Sequence, residues 1–222
     1  MFLSFAALSC DAAQGPNPAD RLPAPATYTE PAATDGETRQ AVFAGGCFWC
    51  VEGVYEQLAG VIDAESGYAG GSAETADYDS VCRGTTNHAE VVRVTYDPSV
   101  VDFGQLMQVF FATHDPTTLN RQGPDVGTQY RSAIFYSDEG QRAAAAAYIA
   151  ELNASGRFSN PIVTTLEALE AYYPAEGYHQ DFVQRNPDHG YIRQQALPKI
   201  QKLKKLYPES LRSAAPKPDA DK

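Results

Sequence analysis

Two cysteines, Cys47 and Cys50, stand at C-x-x-C spacing in the run Gly45-Gly46-Cys47-Phe48-Trp49-Cys50. They are the residues best placed to do chemistry. Residues 40–44 (QAVFA), apolar after Gln40, read as a buried strand, and two glycines then permit a tight turn. From Cys47 the spacing becomes helical, with Phe48, Val51, Val54, Tyr55 and Leu58 on one face. A thiol in the first turn of a helix meets unsatisfied N–H groups and the positive end of the dipole, and both favour a thiolate. Cys50 lies three residues on, about the Cα separation that a disulfide requires. The pair fits a dithiol that cycles with a disulfide. It also fits half of a zinc site, whose other ligands would come from Cys82, His88, His114, His179 or His189. No second C-x-x-C and no paired histidines accompany it, so no metal is expected. Phe48 and Trp49, the single tryptophan, either line an apolar pocket beside the thiol or pack inward. Glu90 opens the alternating run AEVVRVTY. Buried there, it would stay protonated and serve as an acid; exposed, it is an ordinary strand-end carboxylate. Residues 123–132 (GPDVGTQYRS) are dense in turn and hydrogen-bonding groups, as a site loop or a polar connection would be.

The elements that must position these groups alternate without strict order, and the fold class read from them is α+β. Strands are expected over 61–68, 89–96, 130–136 and, more weakly, 162–169. Helices are expected over 102–113, 137–153 and 197–206. The folded unit is placed at 39–207. Residues 11–38 carry prolines at 16, 18, 23, 25 and 31 and no apolar periodicity, and read as a disordered tether. Residues 208–222 read as a disordered tail. Residues 1–9 (MFLSFAALS) precede Cys10 in the manner of a truncated lipoprotein signal, although a basic start is missing. The expected location is therefore a bacterial cell envelope or periplasm, with Cys10 as a candidate lipid anchor; the alternative is the cytoplasm. The 222 residues carry a net charge of −11, which argues against nucleic acid as a partner because phosphate binding needs clustered Lys and Arg. A monomer is expected.

Five runs occur in order: Gly45-Gly46-Cys47-Phe48-Trp49, Gly67-Tyr68-Ala69-Gly70-Gly71, His88-Ala89-Glu90-Val91-Val92, Gly127-Thr128-Gln129-Tyr130-Arg131-Ser132 and Tyr178-His179-Gln180-Asp181. Together they resemble the peptide methionine sulfoxide reductase A family, from about residue 41 to 206. The resemblance implies a two-layer α/β sandwich with a ferredoxin-like (split βαβ) core. It implies reduction of the S epimer of methionine sulfoxide, free or in proteins, with no cofactor beyond an external dithiol, thioredoxin. By position, Cys47 matches the nucleophile, and Phe48 and Trp49 match the pocket for the substrate's S-methyl group. Glu90 matches the proton donor, Tyr78 and Tyr130 the phenols on the sulfoxide oxygen, and Asp125 the aspartate of the substrate loop. The chemistry is consistent, since a sulfoxide oxygen leaves only when protonated and a thiolate must approach from the other side.

The chain departs from that pattern. Many relatives carry resolving cysteines near the C-terminus, and this chain has none after Cys82. Cys50 replaces a common glycine, so it is the candidate resolving thiol. Val126 stands where relatives often have His. Two other readings stay open here: a general thiol–disulfide oxidoreductase using Cys47 and Cys50, and a non-catalytic envelope protein that binds a ligand or zinc.

Overall fold

The computed structural model describes residues 21–213, so Cys10 and the rest of 1–20 and 214–222 lie outside the described residues. In chain order the elements are β1 (Arg39–Gly45), α1 (Phe48–Tyr55), β2 (Val61–Ala69), α2 (Tyr78–Cys82), β3 (Ala89–Tyr96), α3 (Phe103–Thr113), β4 (Arg121–Gln122), β5 (Asp125–Val126), β6 (Ser132–Tyr136), α4 (Glu139–Ala154), β7 (Thr165–Ala168), β8 (Tyr172–Pro174), α5 (Phe182–Arg185) and α6 (Leu197–Leu206). A π-helical stretch, Ile192–Ala196, leads into α6.

Six strands form one mixed sheet in the order β7-β6-β1-β3-β2-β8. The β6–β7 pair is parallel and the other pairs are antiparallel. The α+β class holds. β1 sits mid-sheet because both of its faces are apolar. Ala41 and Phe43 join one cluster, with Val92 and Val94 of β3 and the helices. Val42 and Ala44 join the other, with Ala89, Val91, Ala133 and Phe135. Phe43 anchors the larger core, its ring 5.2 Å from Tyr55 and 5.1 Å from Phe110. α3 begins at a reciprocal cap: Asp102 accepts from the Gln105 amide at 2.7 Å, and Gln105 accepts from the Asp102 amide at 2.9 Å.

The tether expected over 11–38 differs in its described half. Residues 21–38 form no helix or strand, yet they lie on the domain. The Leu22 carbonyl accepts from Gln108, the Pro23 carbonyl accepts from the Tyr148 hydroxyl at 2.6 Å, and Glu30 accepts from the Phe103 amide at 2.7 Å. Tyr28 packs edge-on against Phe103. Single anchors of this kind leave no periodicity to read. The C-terminal boundary at 207 also moves. Pro208–Ser210 makes a 3₁₀ turn, Leu211 bridges Leu58, and the Arg212 amide donates to the Gln57 carbonyl at 2.8 Å.

Candidate active site

β1 delivers the chain to Gly46, whose φ of +91° is open to glycine and strained for other residues. A Cβ there would lie 2.5 Å from Cβ and Cγ of Gln122. The Gln122 side chain is itself fixed, because its amide group exchanges two hydrogen bonds with the Asp115 backbone, at 3.2 and 3.0 Å. The turn therefore packs directly on the β4–β5 hairpin, and Cys47 emerges as the N-cap of α1. Cys47 is 8% exposed and Cys50, one turn on, is 2% exposed; both are free thiols. They line one cleft and each affects the ionisation of the other, the proximity that a reversible disulfide needs.

The expectation that helix N–H groups would stabilise a Cys47 thiolate needs correction. No cap bond reaches its side chain. The first free amide, that of Phe48, donates to Glu90 Oε2 at 3.0 Å instead. Burial pushes the Cys47 thiol well above its ordinary value, and the adjoining Cys50 and Glu90 act in the same sense. Cys50 is held below its ordinary value, first by the hydrogen bond from Cys47 and then by the charge of Lys199. The first proton lost from this pair leaves its charge on the Cys50 side.

Glu90 is 2% exposed at the start of β3, beside α1. Burial pushes its carboxyl up to about 8, against the amide of Phe48; the nearby Asp125 and Cys50 raise it further. At neutral pH it is mostly a protonated acid. Tyr78 opens α2 and Tyr130 ends a 3₁₀ turn; both phenols bond the Cys82 sulfur. Burial raises both above the ordinary tyrosine value, so they remain donors. The turn carrying Tyr130 is pinned by Arg131, which bonds both Glu167 oxygens at 2.9 Å and the carbonyls of Asn87 and Thr128.

Phe48 is buried, with its ring 5.9 Å from Tyr68 and 4.9 Å from His179. Trp49 is half-buried and stacks on Phe182 at 3.8 Å with the planes 7° apart. Its indole N–H donates to His179 Nδ1 at 3.1 Å. His179, 1% exposed and lowered in pKa by burial, is then the neutral Nε2–H tautomer, with Glu176 Oε2 3.9 Å from Nε2, beyond hydrogen-bond distance. Tyr191 stands edge-on to Trp49, donates from its hydroxyl to Asp125, and lines the same cleft as both cysteines. The structure thus brings Cys47, Cys50 and Asp125 into the lining of one cleft, with Phe48 and Glu90 buried beside it and Trp49 against its Tyr191 wall. Val126 is 65% exposed on the hairpin. Tyr191, Phe182 and His179 were not assigned to the site from the sequence. The run Tyr178-His179-Gln180-Asp181 was the available signal for His179; nothing local marks Phe182 or Tyr191. Among the described residues no group of three His, Cys, Asp or Glu could hold a metal.

A family model described as peptide methionine sulfoxide reductase matches residues 39–211. The chain belongs to the peptide methionine sulfoxide reductase family. It is 52% identical over 171 residues to the MsrA of Haloquadratum walsbyi, covering 77% of this chain and 97% of that one. It is 50% identical to the MsrA of Deinococcus radiodurans, covering 83% and 88%. Among solved structures it is similar to reduced Mxr1 from Saccharomyces cerevisiae, with a TM-score of 0.64, 34% identity, and 71% and 90% of the two chains covered. Within this reductase fold, the Gln180 amide group occupies the edge of β2. It accepts from the Ser66 amide at 2.9 Å and donates to the Ser66 and Ala175 carbonyls at 2.9 Å. That clamp sets His179 against Trp49.

Proposed function

We propose that this chain reduces the S epimer of methionine sulfoxide to methionine through Cys47, with Cys50 as the resolving thiol. The observation that carries the reading is the bond between the Phe48 amide and Glu90, which sets a buried protonated carboxyl beside the nucleophile. Cys47 attacks the sulfoxide sulfur as its proton passes to the Cys50 sulfur, which is the more readily ionised of the pair and takes it up. Glu90 gives its proton to the oxygen, and the Tyr78 and Tyr130 hydroxyls donate to it. Phe48 and Trp49 supply apolar area for the methyl group, and Asp125 with Tyr191 borders the opening. In net terms the oxygen passes to Cys47, which becomes a sulfenic acid, and methionine leaves with its sulfur reduced by two electrons. Cys50 then condenses with Cys47 to a disulfide and water. A thioredoxin-type dithiol restores both thiols by exchange; the placing of both thiols in one cleft, a helical turn apart, supports this route.

The sheet order β6-β1-β3-β2, with α1 and α3 as the crossovers, supports reading the core as ferredoxin-like, a split βαβ in a two-layer sandwich. Anchoring at the cell envelope through Cys10 is a further part of the proposal, supported by the apolar residues before it.

The test is turnover of methionine-S-sulfoxide with dithiothreitol, abolished in Cys47→Ser. Absence of turnover together with rapid exchange on unrelated disulfides would favour a general thiol–disulfide oxidoreductase. Cys50→Ala is expected to keep single-turnover methionine release and lose turnover driven by thioredoxin. Unchanged steady-state turnover there would move the resolving role elsewhere, with Cys82 the next thiol to test.

A further inference from the structure

The cleft that opens on Cys47 and Cys50 has one lysine in its lining, Lys199 of α6, among Gln122, Gly123, Asp125, Tyr191 and Gln195. Pro198 stands in the first turn of α6, just ahead of Lys199. Ile200 and Leu203 bury the helix in the core, with Ile200 close to Gly53 of α1. Lys199 is half-buried, and among the described residues no salt bridge to a carboxylate engages it. His114, at the end of α3, also feels Lys199 but adds no positive charge. Burial lowers it to about 3, and its two ring nitrogens lie 2.6 Å from the Phe110 carbonyl and 2.8 Å from Ser132 Oγ.

We propose that Lys199 is a positioning residue for the second half-reaction: its ammonium favours the Cys50 thiolate that attacks the Cys47 sulfenic acid. The proposal rests on the reading of Cys50 as the resolving thiol. The other groups that face Cys50 are Cys47 and Tyr191, which favour its ionisation, and Asp125, whose charge opposes it. Glu90 is affected by Cys50 charge and is itself mostly neutral below pH of about 8. Lys199 thus supplies the positive charge in the lining of the cleft beside the Cys50 sulfur. In the step it assists, the Cys50 electron pair forms the Sγ–Sγ bond and the S–O bond of Cys47 breaks. The departing hydroxide takes a proton and leaves as water. Cys50 is oxidised by one electron equivalent and the Cys47 sulfur is reduced by one. A thiol that attacks from behind the nucleophile, 2% exposed, has no bulk water to stabilise its anion, so a fixed ammonium replaces solvent there.

The experiment is a single-turnover quench with a stoichiometric methionine-S-sulfoxide peptide, no reductant, from pH 6 to 9. Released methionine and remaining thiols are counted in the wild type, Lys199→Met, Lys199→Arg and Cys50→Ala. In Lys199→Met, disulfide formation at pH 7 is expected to slow by roughly threefold to tenfold more than methionine release does. Its pH midpoint moves up, and Lys199→Arg restores both. A Lys199→Met profile superimposable on the wild type overturns the proposal. So does Lys199→Arg being as slow as Lys199→Met, which marks a structural role. If Cys50→Ala still loses two thiols per methionine, the resolving assignment fails instead, independently of Lys199.

Discussion

Replacing Glu90 by Gln separates the buried acid from every other titrating group in the protein. Glu90 is 2% exposed, and its carboxyl is pushed from an ordinary 4.5 up to about 8, mainly by burial. Below pH 4.5 the folded and unfolded chains both carry the proton. Between 4.5 and about 8 the unfolded chain has lost it and the folded chain keeps it, so Glu90 lowers stability as pH rises. At about 1.4 kcal/mol per pH unit, the window amounts to about 5 kcal/mol at most. Gln keeps an acceptor for the Phe48 amide and does not ionise. Wild type and Glu90→Gln should therefore diverge steadily in urea-unfolding free energy from pH 5 to 8, the variant gaining at the alkaline end. Glu52, pushed up to about 8, and Glu56, pushed up to about 7, titrate in the same range but are common to both proteins and cancel in the difference. The same substitution should slow single-turnover methionine release by about 10²- to 10⁴-fold, as loss of a general acid does. It should also remove the decline expected in the wild-type rate above pH of about 8. A stability difference that stays constant with pH would refute burial as the cause of the protonated carboxyl. An unchanged release rate would refute its role as the acid.

Gly46→Ala should destabilise the fold by about 2 to 4 kcal/mol in urea unfolding, from the left-handed backbone and the contact with Gln122. It should also lower methionine release, since the turn sets Cys47. Tyr78→Phe and Tyr130→Phe should each slow release by about tenfold to a hundredfold with the thiol count unchanged, read by the same quench. Removing residues 1–38 should lower unfolding free energy by about 2 to 4 kcal/mol through the loss of the Leu22 and Tyr28 contacts, with kcat little affected. Equal stability of the two lengths would mean the segment is dispensable to the fold.

Much of the frame is legible in the sequence. β3 and α6 run where the alternation of AEVVRVTY and the amphipathic run from Leu197 to Leu206 place them. These elements carry their own signal because one long face repeats with a fixed period. α2, β4, β5, β8 and α5 are two to five residues long, too short for a period to show, and their partners decide them. Residues 21–38 escaped for a related reason, since isolated anchors such as Glu30 and Leu22 look like any polar, proline-rich stretch.

The chemical types at the site were determined by the sequence alone: a C-x-x-C pair after two glycines, two adjacent aromatics and a glutamate ahead of valines. Local bonding geometry suffices for those, because the turn and the first helical residues are neighbours along the chain. Ionisation was decided by tertiary structure. Whether Glu90 is an acid depends on burial beside an amide 42 residues away, and the Phe48 amide given to Glu90 is one that the Cys47 sulfur then lacks. The charge of Lys199 reaches Cys50 across most of the chain. Desolvation and Coulomb forces act through space, and neither is written in the spacing of residues.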